Sequence, residues 1–393
     1  MRYLTRTIWV LSIISLLTDT ASEMLYPIMP IYLKSVGFSI MLIGILEGIA
    51  EATAGLSKGY FGKLSDVSGR RVPFVQLGYT LSAISKPMMA LFVFPLWIFL
   101  SRTMDRIGKG LRTGARDALL SDESTAATKG RVFGFHRSMD TIGAVLGPVI
   151  ALIYLYYYPQ DYKTLFLIAF IPGLLAICAT FYLKDNRHQH SATDLKISFF
   201  SFLKYWKSSP AAYRQLVVGL LCFTLFNSSD VFLLLKAKES GLNDTVVIGI
   251  YIFYNLIYAL FAFPVGILAD KIGLKSIFIV GLFLFSVVYF GMALPFTSPF
   301  FYMGLFFLYG IYASATEGIS KAWISVITDR KETATAIGTY AGLQSICTMF
   351  ASTITGFIWY QYSATAAFIV TGSVTLIVII YFLTLPYVKE NQA

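Results

Sequence analysis

Two stretches decide the fold: GKLSDVSGRR at residues 62–71 and GILADKIGLK at residues 266–275. Gly62, Asp66 and Gly69 of the first recur as Gly266, Asp270 and Gly273 of the second, each 204 positions later. The same offset relates Gly37 to Gly241 and Gly134 to Gly338. Glycine at 62 and 69 permits a close helix approach and a turn with positive φ. The aspartate can face the positive N-terminal end of a neighbouring helix, and basic residues such as Arg70, Arg71 and Lys275 suit a membrane surface. A constant offset of this length predicts two copies of one structural unit.

The sequence around the repeat is too apolar for water. Of 393 residues, 56% are hydrophobic, 16% aromatic and 13% charged, whereas soluble domains carry about 25% charged residues. Runs of roughly 20 apolar residues, the length that crosses a bilayer, recur throughout. They predict helices near 8–33, 39–64, 73–93, 96–121, 131–158 and 163–183, then 213–237, 245–270, 275–294, 298–326, 333–361 and 364–386. The first run, Ile8 to Leu33, is longer than a signal peptide's core and lacks a small-residue cleavage site, so it reads as a retained helix. The expected fold is therefore all-α: twelve transmembrane helices in two six-helix bundles, residues 1–184 and 213–393, in parallel orientation because six spans separate the copies. Residues 185–212 form a polar linker with an amphipathic stretch (Ile197, Phe199, Phe200, Phe202, Leu203, Trp206) suited to lying on the membrane face.

The formal charge of +10 would suit a nucleic-acid binder, but its distribution argues for a membrane. Arg2, Arg6, Lys63, Arg70, Arg71, Lys129, Arg131, the run from Lys184 to Arg214, Lys271, Lys275, Arg330 and Lys331 fall on one side of the predicted spans. The other side has little beyond Lys34, Lys163, Lys236 and Lys238. The positive-inside rule then places both termini in the cytoplasm. Cys178, Cys222 and Cys347 lie in apolar segments without metal-ligand or redox spacing and read as packing residues. His188 and His190 sit in the polar linker and read as solvated. No metal site and no cofactor are expected.

Both quoted stretches resemble the G-x-L-a-D-r-x-G-r-k signature between helices 2 and 3, and 8 and 9, of the major facilitator superfamily. The resemblance implies that Gly62, Asp66, Gly69, Arg70, Gly266, Asp270, Gly273 and Lys275 form a cytoplasmic latch that favours the outward-open state. Arg102-Thr-Met-Asp105-Arg106-Ile-Gly108 looks like the family's R-x-x-q-G-x-G motif on helix 4, associated with proton coupling. Asp105 stands where the amide is usual and Arg106 where the first glycine is, so the coupling role carries over to Arg102 alone. Gly143-Ala-Val-Leu-Gly147-Pro148 is similar to the G-x-x-x-G-P motif of antiporters, although Ala151-Leu152 replaces the glycine pair expected after it. A small-residue helix contact with a proline bend accounts for it equally well.

An ionisable side chain inside a span costs about 2.5 to 3.5 kcal/mol on insertion scales. The first half nevertheless holds Asp19 and Glu23 on helix 1, Glu47 and Glu51 on helix 2, and Lys86 on helix 3. Helix 4 stacks Arg102, Arg106, Lys109, Arg112 and Arg116 on one face, and helix 5 adds His136, Arg137 and Asp140. Interhelical ion pairs are one account of this set, a polar pathway the other. Because desolvation makes such pairs weak stabilisers, the pathway is preferred, with Asp19, Glu23, Glu47, Glu51, Arg102, Asp105 and Asp140 as proton-coupling candidates. In the second half, Asn227, Asn255, Tyr340 and Gln344 replace Glu23, Glu51, His136 and Asp140 at the repeat offset, and Asp230, Glu317 and Lys321 remain ionisable. These residues, with Tyr254, Tyr309, Arg106, Lys109, His136 and Arg137, are the substrate-cavity candidates.

The expected function is a proton-coupled secondary transporter of a small organic solute working by alternating access, with export by antiport preferred. The alternative is uptake of an organic anion or chelate, motivated by the basic row on helix 4. A membrane sensor or enzyme is disfavoured, since no HExxH or Walker loop is present. The expected partners are a small-molecule substrate, protons and the lipid bilayer, with no nucleic acid. A monomer in the cytoplasmic membrane of a bacterium is expected.

Overall fold

The computed structural model describes residues 4–26, 28–29, 32–33, 36–38, 40–185, 201–242 and 244–386, without the side chains of 40–52, 201–202, 244–245 and 248. Arg2, Lys34, His188, His190, Ile197, Phe199 and Phe200 lie outside the described residues, as do the side chains of Glu47, Glu51 and Phe202. Among the described residues the fold is all-α, with no strand.

The first half contributes α1 (Arg6–Glu23), α2 (Ile40–Ser68), α3 (Val72–Leu91), α4 (Pro95–Asp122), α5 (Lys129–Tyr157) and α6 (Tyr162–Thr180). The second contributes α7 (Ala211–Thr224), α8 (Val231–Glu239), α9 (Asp244–Ile272), α10 (Leu274–Met292), α11 (Pro299–Ile327), α12 (Thr333–Gln361) and α13 (Ala364–Thr384). The repeat seen in the motifs extends to whole helices. α2 and α9 each span 29 residues and begin 204 positions apart, and so do α5 and α12. Gly37, Gly69, Gly241 and Gly273 have φ of +92°, +63°, +97° and +99°. A side chain is rarely accommodated at such angles, which explains why these four positions repeat as glycine.

Two of the expected helices are interrupted. Helix 1, expected over 8–33, ends as α1 at Glu23, and Leu25 turns its N–H back to Ser22 at 3.2 Å. The sequence following is Tyr26-Pro27; a proline supplies no N–H and its ring crowds the carbonyl four residues earlier. Helix 7, expected over 213–237, is divided into α7 and α8 at Ser228-Ser229-Asp230, short polar residues that compete with the helical backbone for hydrogen bonds. Glu23, the last residue of α1, and Asn227, within the gap between α7 and α8, are equivalent in the repeat.

Among the described residues six helical segments are long and apolar enough to cross a membrane: Ala126–Tyr157, α6, Gly249–Ile272 of α9, α10, α12 and α13. Leu152, Ile153, Ile171, Leu175, Ile377 and Ile380 are exposed on α5, α6 and α13, as a lipid-facing surface requires. Outside the spans, Asp161 caps α6 by accepting from the Thr164 N–H at 3.3 Å and from the Tyr154 hydroxyl at 2.7 Å. The Tyr154 hydrogen bond, reinforced by those from Thr164, holds the Asp161 carboxyl below its ordinary range.

The chain divides into two compact units. Unit 1 comprises residues 1–123, 139–208 and 328–342: α1 to α4, most of α5, α6, a single helical turn at Tyr205–Ser208 and the first turns of α12. Within it α4 packs against α2 and α3. Unit 2 comprises residues 124–138, 209–327 and 343–393: the first turns of α5, α7 to α11, the rest of α12 and α13, with α11 packed against α9 and α10.

Candidate functional site

The repeated motif performs the same task in each unit. In unit 1 the Asp66 carboxylate accepts the backbone N–H of Thr335 at 2.6 Å and its hydroxyl at 2.8 Å, capping α12. In unit 2 Asp270 accepts the N–H groups of Gly130 and Arg131 at 2.7 and 3.0 Å, capping α5, and takes Arg131 Nε at 2.6 Å. The helix dipole and the unsatisfied first-turn N–H groups favour a carboxylate at both places. Gly62 and Gly266 make the approach fit: a Cβ on Gly62 would lie 3.1 Å from the Ala334 carbonyl carbon, and one on Gly266 3.0 Å from that of Gly130. Among the basic residues the expectation is corrected. Arg70 is exposed and its backbone is engaged by Ser68, whose Oγ accepts the Arg70 N–H at 3.3 Å and donates to its carbonyl at 3.1 Å. Arg71 is the buried one: it reaches Asp66 at 3.4 Å and Asp122 at 3.3 Å, and donates to the Arg330 carbonyl at 2.8 Å. Lys275 instead donates to the carbonyls of Leu383 and Leu385.

Unit 1 also contains a small pocket, partly open to the outside. The end of α1 supplies Asp19, Ser22 and Glu23, α3 supplies Lys86 and Met89, and α4 supplies Arg102, Asp105, Arg106, Lys109 and Arg112. Six of the sequence candidates thus come together. The steps of three and four residues between Arg102, Asp105, Arg106, Lys109 and Arg112 place them on the one face of α4 that lines the space. Asp105 forms an ion pair with Lys86 at 2.7 Å, which accounts for an acid in the motif position where an amide is usual. Arg112 donates to Ser82 Oγ at 2.5 Å and stacks 4.6 Å from the Tyr79 ring centroid.

Small residues hold these helices close. On α5, a Cβ at Gly147 would lie 2.6 Å from the Met24 nitrogen and from the Thr20 oxygen, so the antiporter-like glycines are a contact with the end of α1, where Asp19 and Glu23 sit. Asp140 on α5 does not line the pocket. It accepts the hydroxyl of Ser15, to which Arg116 donates at 3.1 Å while pairing with Asp117 at 3.0 Å.

In unit 2 a second polar group surrounds the interruption between α7 and α8. Asp230 Oδ1 accepts the Tyr309 hydroxyl at 2.6 Å, and Asn227 Nδ2 donates to the Tyr312 hydroxyl at 3.0 Å. The Tyr309 ring lies 5.1 Å from both Tyr254 and Tyr312. Arg137 lies 5.2 Å from the Tyr258 ring, donates to its hydroxyl, and approaches Glu317 at 3.8 Å. Asn255 is turned to its own helix, donating to the Tyr251 carbonyl at 3.0 Å. His136 belongs to unit 2, Tyr340 to unit 1 and Gln344 to unit 2, so Tyr340 and Gln344 share no unit; Lys321 lies on α11. Sequence reasoning missed Tyr79, Ser82, Tyr258 and Tyr312. Tyr258 and Tyr312 follow Tyr254 and Tyr309 at helical spacing of four and three, a signal that was present; nothing in the sequence marked Tyr79 or Ser82. Among the described residues no group of three potential ligands could hold a metal ion.

The sequence profile of the Major Facilitator Superfamily matches residues 11–253 and 235–393. The chain is 33% identical to an uncharacterized MFS-type transporter of Methanocaldococcus jannaschii, over 91% of this chain and 89% of that one. It is 26% identical to the quinolone resistance protein NorA of Staphylococcus aureus over 32% of each. The crystal structure of the E. coli fucose:proton symporter FucP superposes with a TM-score of 0.77 at 12% identity, covering 97% of this chain and 98% of that one. With a matching profile across both halves and a relative of this extent, the chain belongs to the major facilitator superfamily, whose members are membrane transporters and not enzymes.

Proposed function

We propose that the chain is a proton-coupled secondary transporter that carries a small organic solute by alternating access. In this reading residues 1–184 and 213–393 form two bundles of six spans, joined by a linker at 185–212, with both termini in the cytoplasm of a bacterium. The observation that carries it is the unit 1 pocket, where Asp19 and Glu23 face a basic row on α4 inside an apolar fold. Ionisable side chains at such depth are costly as scaffold and suited to a proton and solute path. Export in exchange for protons is the preferred direction, supported by the glycine contact of α5 with the end of α1 and by the likeness to a quinolone resistance protein. Asp66 and Asp270 serve as the latch residues of the two copies.

A second reading is uptake of an organic anion. It is favoured by the balance of the pocket lining, in which five of the eight charged side chains are basic. Purified protein in liposomes under an imposed pH gradient tests the coupling. Solute flux should follow the gradient and vanish when an ionophore collapses it; flux indifferent to the gradient would refute it, and the sign of the response separates export from uptake.

A further inference from the structure

The end of unit 1 at which α1 and α3 begin and α6 finishes carries three exposed cations, Arg6, Arg70 and Lys184. α6 packs against both α1 and α3. Arg6, the first residue of α1, stands 5.8 Å over the ring of Tyr182, just beyond α6. Three residues after that tyrosine, Asp185 accepts the backbone N–H groups of Arg71 at 3.1 Å and Val72 at 3.3 Å, which brings Lys184 and Arg70 to the same corner. The acids there are committed elsewhere: Asp185 to the start of α3, and Asp66 and Asp122 to buried Arg71 at 3.4 and 3.3 Å. Among the described residues none of Arg6, Arg70 and Lys184 forms an ion pair. Trp9, one turn along α1, and Phe181 and Tyr182 are exposed beside them.

The repeat supplies an internal control. At the offset of 204, Arg6 corresponds to Pro210, Arg70 to Leu274, Trp9 to buried Tyr213, and Phe181 and Tyr182 to Leu385 and Pro386. The basic position that both copies keep, Arg71 and Lys275, is engaged by the protein itself in each, Lys275 donating to the carbonyls of Leu383 and Leu385. The second copy thus builds the same helix ends without the outward cations, so the scaffold does not require them in the first. Clustered cations at a membrane surface attract anionic headgroups, and aromatic side chains settle at the headgroup level. We infer that this corner is a binding site for an anionic phospholipid. Its phosphate lies among Arg6, Arg70 and Lys184, and Trp9, Phe181 and Tyr182 cover its glycerol and the first carbons of its chains. The inference rests on the chain's place in a membrane and is independent of the transport reading.

Native mass spectrometry of the purified full chain, with dioleoylphosphatidylglycerol and dioleoylphosphatidylcholine added in turn, is the test. The anionic lipid should bind about tenfold or more tightly than the zwitterionic one of the same chains. Arg6→Gln, Arg70→Gln and Lys184→Gln combined should remove most of that preference. Lys163→Gln, Lys271→Gln and Lys331→Gln combined, which take the same charge from exposed positions elsewhere, should keep it. Equal affinity for the two lipids, or an equal loss in both triple variants, would overturn the site. If the first triple variant is not recovered folded, lipids brominated on their chains replace it in protein that retains all three cations. The part of the fluorescence that Trp9→Phe removes should be quenched more by the brominated phosphatidylglycerol than by the brominated phosphatidylcholine, and equal quenching would count against the site. A chain that moves solute in liposomes yet shows no such lipid preference loses this inference and keeps the transport reading; the preference without gradient-driven flux does the reverse.

Discussion

The Asp66 carboxylate accepts the backbone N–H of Thr335 at 2.6 Å, so a side chain at the end of α2 caps a helix that begins 267 positions after it at Thr333. The same carboxylate is 3.4 Å from buried Arg71. Removing it therefore costs a cap, worth about 1 kcal/mol, and also takes one of two carboxylate partners from a buried guanidinium, which keeps Asp122 at 3.3 Å and the Arg330 carbonyl at 2.8 Å and so loses part of its compensation. Asp270 caps α5 in the same way, but its partner Arg131 is partly exposed, 22% against 4% for Arg71. Asp66→Ala should lower the melting temperature in detergent clearly more than Asp270→Ala. Because the two share no partner, the double variant should show the sum of both losses; equal losses, or a double variant no worse than D66A, would contradict this assignment.

The pair Lys86–Asp105 predicts a different pattern. Both side chains are largely buried and 2.7 Å apart. Asp105→Asn leaves an ammonium uncompensated and should destabilise by about 3 to 5 kcal/mol. Lys86→Met combined with D105N removes both charges and should recover most of that stability, which thermal unfolding of the single and double variants measures. If recovery of stability is accompanied by recovery of solute flux, the pair is scaffold; if flux stays lost, the pair takes part in transport.

The repeat and the motifs were readable in the sequence because glycine at a positive φ, or under a neighbouring backbone, admits no substitute. Gly69 and Gly273 are legible for that reason, and so are Gly62 and Gly266. Arg102, Asp105, Arg106 and Lys109 were legible as one face of α4 because helical spacing alone fixes a face. Partners on other helices were not. That Asp105 meets Lys86, that Arg112 meets Ser82 and Tyr79, and that Arg71 rather than Arg70 turns inward all depend on helix crossings, which no local pattern encodes. The break of helix 1 after Glu23 was signalled by Pro27, whereas that of helix 7 rests on Ser228-Ser229-Asp230, residues equally at home on a helix surface.

Gly147 gives a prediction that separates activity from stability. A Cβ there would lie 2.6 Å from backbone atoms of Thr20 and Met24, and backbone cannot rotate away as a side chain can. Gly147→Ala should push the end of α1 from α5, at a cost of about 1 to 3 kcal/mol, and displace Glu23 within the pocket. Solute flux should fall about tenfold or more while the protein remains folded, since a shift of an ångström in a binding group has effects of that order. Ala at Gly304, where nothing lies within 4 Å, should leave flux unchanged and serves as the control.

Asp19 and Glu23 are the carboxyls on which proton coupling is best tested. They sit one turn apart at the end of α1, and Asp19 is under the influence of Lys109 and Arg112 on α4 and of Asp140 on α5. With two acids sharing one short segment, the first ionisation opposes the second, so one proton can be released or taken up as the basic row engages or leaves its partners. Glu23→Gln and Asp19→Asn each fix one position in its neutral form. If these groups carry the coupled proton, both variants should still exchange solute across liposomes at equal pH on the two sides, yet fail to concentrate it when a gradient is imposed. The pH dependence of flux should flatten in both. Flux that keeps its gradient response in E23Q and in D19N would move the proton site elsewhere, with Glu47 and Glu51 on α2 the next positions to substitute.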